Sequence, residues 1–205
     1  MTEVITLLIA LAFCITVHET AHAWVAYKLG DPTAKMEGRI SLNPLHHLDV
    51  LGTLMIFIAH FGWGKPVPYN EHNLKHPRRD AALISMAGPF TNLLSAFAIA
   101  LLIKYIPHMP TFVFETLRAI YSLSIILFLF NLIPIAPLDG SKLLGLVIPR
   151  SKDAWYHHYL SQGPVILVIL IIGDRLLAET TGFSPLGIAL QYGYEAVTVL
   201  IFLAT

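Results

Sequence analysis

The sequence predicts an all-α polytopic membrane protein, and three observations lead there. Of the 205 residues, 56% are hydrophobic and 13% are charged, against about a quarter charged in ordinary soluble domains. Mean hydropathy is +0.67, more apolar surface than a soluble core of this length can hide. The apolar residues also fall into runs of spanning length, separated by short polar segments.

Val4 to Tyr27 is the first run, 24 residues with one charge, Glu19. At 1.5 Å per residue it reaches about 36 Å, enough to cross a bilayer. Glu3 stands where a signal peptide carries basic residues, and no small-residue cleavage site follows, so the run is expected to stay as a transmembrane helix. Gly30-Asp31-Pro32 ends it. Residues 28–49 are polar, with turn signals at Glu37-Gly38 and Asn43-Pro44. Val50 to Trp63 is apolar but, at 14 residues, short for a span. Residues 64–80 are polar and rich in proline and base. Ala81 to Ile103 and Thr111 to Leu132 are clear spans, joined by Lys104 to Pro110; the second is broken at its end by IPIAPLDG. Trp155 to Gly173 is a weaker span behind an interfacial SKDAWYHHYL. Pro185 to Ala204 is a last apolar segment that either spans or lies in the interface. There is no internal repeat and no linker, so residues 1–205 read as one domain.

Charge orients the spans. Of 13 Lys and Arg, seven lie between Lys28 and Arg79, three are Lys142, Arg150 and Lys152, and the 104–110 loop holds only Lys104. The positive-inside bias puts 28–49, 64–80 and 140–153 in the cytoplasm. Residues 50–63 must then enter and leave the membrane from one side, as a dipping segment. A reporter in the 104–110 loop is expected to face outward; a cytoplasmic readout would reject this topology. Zero net charge and a near-neutral pI give no reason to expect a nucleic-acid partner. The single cysteine, Cys14, excludes an internal disulfide and a cysteine-rich zinc site.

The chemistry begins in TVHETAHAW, Thr16 to Trp24. His18-Glu19-Thr20-Ala21-His22 is H-E-x-x-H, which on a helix places two imidazoles on one face, able to grip one metal ion. Glu19 is rotated about a quarter turn from His18, where it can reach a water at the metal without ligating. Ionisable groups inside a span are costly and functional by default. A catalytic zinc usually has three protein ligands, and Asp139 is the candidate third. Pro134 and Pro137 cannot sit inside an intact helix, so the backbone unwinds before Asp139. Unwound backbone at membrane depth needs a cavity. Both the first span and the fourth apolar segment run from outside to inside, which brings His18, His22 and Asp139 to one depth, nearer the cytoplasm.

HETAH in the first span, GPFTN (Gly88 to Asn92) in a later one and NLIPIAPLDG at the end of the next resemble the site-2 proteases, intramembrane zinc metalloproteases. GRISLNPLHHLD and FGWGKPVPYN are similar to the small prokaryotic branch of that family. The resemblance covers about residues 10 to 150, and Gly64 and Tyr69 depart from the residues common among relatives. It implies a three-helix catalytic core within about 1–150, followed by one or two C-terminal membrane segments in 151–205. It implies one zinc held by His18, His22 and Asp139, Glu19 as general base, and no PDZ or CBS domain. A side-chain amide near the reacting carbonyl would stabilise the oxyanion; Asn131 and Asn92 are the candidates. The expected substrate is a transmembrane-helix protein in the cytoplasmic membrane. Such a helix must be unwound before attack, and a short β edge formed by Met36–Leu42 and Lys65–Tyr69 could capture the freed strand.

A second reading is a zinc-binding membrane scaffold or zinc carrier without proteolysis, and a third is a hydrolase of lipids or prenylated peptides. Glu19 separates the first two, since a carrier needs no base. Cys14 reads as a packing residue. His46 and His47 read as lying at the membrane surface and His157 and His158 as interfacial. His60 reads as a neighbour of the site at most. His72 and His76 sit in a loop too rich in Pro and Asn for a helix. Arg78 and Arg79 read as headgroup anchors.

Overall fold

A computed structural model of the chain describes residues 2–59 and 62–205. Eight α-helices follow one another: α1 (Thr2–Lys28), α2 (Thr33–Met36), α3 (Val50–Ala59), α4 (Pro77–Tyr105), α5 (Thr111–Asn131), α6 (Gly140–Val147), α7 (Asp153–Thr181) and α8 (Pro185–Ala204). Five of the described helices are long and apolar enough to cross a membrane: α1, α4, α5, α7 with the turn before it, and α8. The chain is thus the all-α polytopic membrane protein that its composition predicts.

The centre is α1, α4 and α5, which pack against one another, with α6 laid on α4 and α8 on α5. Small residues make the close approach possible, as is usual between helices in lipid. Ala10, Cys14, Ala23 and Ala26 of α1 and Ala96 of α4 are wholly buried. Large apolar residues point the other way: Ile5, Leu8 and Phe13 on α1, Phe90 and Leu94 on α4, and Val165 and Ile169 on α7 are all exposed. A bundle with small residues inside and large ones outside suits a hydrocarbon solvent.

Leu48 and Gly64 pair in an isolated antiparallel bridge, and Lys65 N–H donates to the His47 carbonyl at 2.7 Å. The chain therefore leaves and returns at one place. Between lies α3, ten residues or about 15 Å, half of a span. Its Val50, Leu51, Leu54 and Ile58 are exposed. His60 lies outside the described residues.

The expected β edge does not form. Among the described residues there is no strand, and Met36–Leu42 and Lys65–Tyr69 do not pair. The reason is Arg39, whose guanidinium donates to the carbonyls of Lys65 and Pro66. Pro66 and Pro68 have no N–H to offer. Residues 65–69 stay extended but unpaired with 36–42.

The loop before α4 is pinned by Asp31, which is wholly buried. Its carboxylate accepts from Thr33 N–H and Oγ–H, from Asn73 Nδ2 at 2.7 Å and from Asn70 N–H at 2.7 Å. Burial raises the Asp31 carboxyl, but these four donors outweigh it and hold it below the ordinary range. A depressed pKa stabilises the fold above the unfolded value, about 4, and that stability is lost as pH falls through the folded one. Proteolysis or hydrogen exchange of residues 62–76 should therefore rise only below about pH 4. Asp31→Asn should expose the loop at all pH values; a loop still protected in that variant would remove Asp31 as its anchor.

Two further expectations change. α7 runs to Thr181, well past Gly173, because hydropathy marks only the part of a helix that meets lipid. Beyond it, Arg175 pairs with Glu179, and Asp174 accepts from Ser184 Oγ–H and Leu186 N–H at the start of α8. Arg78 gains a role within the protein that the headgroup reading did not include. It donates to the Gly145 and Ile148 carbonyls and pairs with Asp153, tying α4 to the end of α6 and the start of α7.

Candidate metal centre

His18 and His22 lie one turn apart on the face of α1 that looks into the bundle. Both are buried, and their rings meet edge to face with centroids 4.6 Å apart. Asp139 arrives from the opposite side. α5 stops at Asn131, residues 132–139 form irregular turns around Pro134 and Pro137, and α6 begins at Gly140. Gly140 lets the chain fold back tightly: a Cβ there would strike the Leu132 carbonyl. Asp139 Oδ2 then lies 3.2 Å from His18 Nε2 and 3.4 Å from His22 Nε2. The three donor atoms fall within 4.8 Å of one another.

Behind this cluster stands one face of α4. Ile84 offers its carbonyl to His22 Nδ1 at 2.6 Å. A carbonyl only accepts, so Nδ1 carries the proton and Nε2 turns a lone pair to the centre. Ser85 Oγ–H lies 2.7 Å from the Asp139 carbonyl oxygen and 3.2 Å from Oδ1, which leaves Oδ2 for the centre. Asn92 places its amide 3.1 Å from His18 Nδ1. Gly88 clears the space between: a Cβ there would come 2.6 Å from His18 Nε2 and closer still to His22 Nε2. Positions 84, 88 and 92 fall on one stripe of the helix, with 85 beside it.

The donor set fits a metal ion. Asp139 Oδ2 is buried and has no hydrogen-bond partner among the described residues, although it faces two imidazole nitrogens. Two nitrogens and a carboxylate oxygen aimed at one point repel one another unless a cation or protons lie between them. Two His and one carboxylate, with a further position open, is a donor set that catalytic zinc accepts.

The open side is a cavity of about 460 Å³. Its walls are mostly apolar, from Leu11, Ile15, Leu127, Phe130 and Leu167, and Pro66, Val67 and Tyr69 supply the loop side. Glu19 reaches this cavity, and its carboxylate has no hydrogen-bond partner among the described residues. Facing it is Gly64, where a Cβ would lie 3.8 Å from Oε1.

The two amides expected near the reaction part company. Asn131 lines the cavity, with Nδ2 donating to the Leu127 carbonyl at 3.0 Å. Asn92 does not line it; the residue is wholly buried and turned to His18. Cys14 packs against α5, in contact with Ser124 and Ile120. His47 is wholly buried, with Nε2 2.7 Å from the Ser41 carbonyl. Burial pushes its pKa down, with Arg39 helping, against the opposing hydrogen bond to Ser41. Sequence reasoning missed Ser85 and the Ile84 carbonyl. Gly88 was noticed only as part of GPFTN, although a glycine inside a helix, which costs about 1 kcal/mol relative to Ala, is itself a signal of close approach.

Comparison with known proteins agrees with this architecture. The model of Peptidase family M50 matches residues 107–171, a stretch that holds Asn131 and Asp139. The chain is 40% identical over 174 residues to "Putative zinc metalloprotease YwhC" of Bacillus subtilis, covering 81% of this chain and 80% of that protein. It is 32% identical over 169 residues to "Putative zinc metalloprotease Rip2" of Mycolicibacterium smegmatis, covering 79% of this chain and 64% of that one. It is 27% identical over 174 residues to "Stage IV sporulation protein FB" of Bacillus subtilis, covering 80% and 58%. The chain thus spans less than two thirds of the last two. No solved structure gives a significant match. Identity of 40% across four fifths of both chains, together with the family match, decides the relationship: the chain belongs to peptidase family M50, the site-2 proteases, and is by that membership a metalloendopeptidase.

Proposed function

We propose that the chain is an intramembrane zinc endopeptidase that hydrolyses a peptide bond within or near the transmembrane segment of a membrane-protein substrate. The observation that carries this is the meeting of His18, His22 and Asp139 inside a bundle whose outer faces are apolar, beside a cavity that Glu19 lines. One zinc per chain, held by those three residues, would supply Lewis acidity toward a carbonyl and lower the pKa of water toward neutrality. Glu19 takes the proton of the attacking water and delivers it to the leaving amine. Asn131 donates its remaining amide N–H to the oxygen on which charge develops.

Residues 65–69 receive the unwound substrate. Val67 lines the cavity, and its backbone N–H and C=O have no partner among the described residues. They are available for strand addition, while Arg39 holds the neighbouring carbonyls. Water enters from the cytoplasmic side. A second, polar cavity of about 300 Å³ shares Ala81 and Lys142 with the first and is walled by Glu71, Arg78 and Asp153. The whole chain is one multi-pass unit of the cytoplasmic membrane, with the catalytic core in about residues 1–150 and the site nearer the cytoplasm.

Zinc content tests this reading. Chain purified in detergent without a histidine tag should carry about one zinc, held by three protein ligands where a closed structural site has four, which leaves a position for water. His22→Ala should lose the metal and Asp139→Ala should weaken it. A well-folded wild type that takes up no zinc would reject the enzyme. Zinc that persists unweakened without Asp139 would strip the third ligand from the site.

A further inference from the structure

We propose that Asn92 is a positioning residue for the metal: it presents its amide oxygen, not its nitrogen, to His18 Nδ1–H, and so leaves the His18 Nε2 lone pair to the ion. This rests on the metal reading above and adds to it a residue that touches neither ion nor substrate.

The geometry is a contact of 3.1 Å between the Asn92 amide and His18 Nδ1. Asn92 is wholly buried and His18 is nearly so. His18 is the only hydrogen-bond partner of the Asn92 side chain among the described residues. A general interhelical glue would serve several helices; this amide serves one ring.

Proton logic decides which end of the amide faces that ring. A neutral imidazole has one N–H and one lone pair. If Nε2 binds the ion, the proton is on Nδ1, and Nδ1–H requires an acceptor. The structure has Nδ2 toward the ring, which would put donor against donor in the metal-loaded protein. Oδ1, at the other end, is buried without a partner. The two ends of an amide are nearly alike in shape and are told apart by their hydrogen bonds. A half-turn of the amide sets Oδ1 against Nδ1–H and sacrifices no other bond. The second histidine shows the same arrangement already, with the Ile84 carbonyl as acceptor for His22 Nδ1. Two turns of α4 then carry one acceptor for each imidazole.

The test is zinc affinity by chelator competition on the full chain in detergent, with thermal unfolding of the metal-free protein as a check on the fold. Asn92→Ala should weaken zinc by about 10- to 100-fold, the usual effect of removing a ligand's outer partner. Asn92→Asp, which can only accept, should bind at least as well as wild type. Asn92→Ala with unchanged affinity, or a folded Asn92→Asp as weak as Asn92→Ala, overturns the proposal. Should Asn92→Asp fail to fold, histidine-labelled, zinc-loaded protein decides by NMR. The His18 Nδ1–H proton should exchange slowly in wild type and rapidly in Asn92→Ala; equal exchange overturns the proposal. A wild type that binds no zinc rejects the metal reading itself, so the two failures are distinct.

Discussion

Glu19→Gln is expected to abolish peptide cleavage, by about 100- to 10,000-fold, the range contributed by a positioned general base. Zinc per chain should stay as in wild type. Glutamine keeps the shape of glutamate but cannot take a proton. Glu19 is not among the three convergent donor atoms, and among the described residues its carboxylate holds no hydrogen-bond partner that the change would release. The loss should therefore fall on turnover and not on folding or metal content. Cleavage of a single-span reporter in liposomes, beside metal analysis of the same preparations, reads both. Cleavage that survives would move the chain toward the scaffold or carrier reading, which needs ligands but no base. Zinc lost together with activity would make Glu19 a ligand instead.

Gly88→Ala should disable the same enzyme by a different route. The added methyl would enter the space occupied by both Nε2 atoms. One of them alone could rotate away, but Ile84 and Asn92 hold the two rings from behind. Either α4 shifts off α1 or the imidazoles turn from Asp139. Zinc should bind more than about 100-fold more weakly, beyond the loss of a single outer partner, and cleavage should vanish with it. In an open helix the same substitution would stabilise by about 1 kcal/mol, so the sign of the effect is the diagnostic. Zinc affinity equal to wild type would show that the helices part without disturbing the centre.

Much of this was legible in the residues because membranes narrow the choices. A carboxylate and two imidazoles at helical spacing are conspicuous directly behind a run such as ITLLIALAFCITV. Pro134 and Pro137 announce broken backbone, and α8 occupies the same residues, 185 to 204, that its hydropathy marks. Side-chain identity is a poorer guide where backbone does the work. Ile84 acts through its carbonyl, which no sequence pattern displays, and Ser85 is an ordinary serine until Asp139 is placed beside it. The strand expected at 65–69 failed for a related reason. A tertiary contact, Arg39, claimed the carbonyls that a local reading had left free for pairing. The burial of His47 was not legible either, because it depends on where the returning chain at Gly64 lands.

The bridge between Leu48 and Gly64 has a consequence for how such chains vary. Two points joined at a neck make whatever lies between them an insert, in the way that a loop with adjacent ends tolerates change in length. α3 can lengthen, shorten or be exchanged without altering the path from α1 to α4, because that path is already closed across the neck. The apolar surface that α3 adds through Val50, Leu51, Leu54 and Ile58 can thus change in extent while α1 and α4, which carry the chemistry, keep their register.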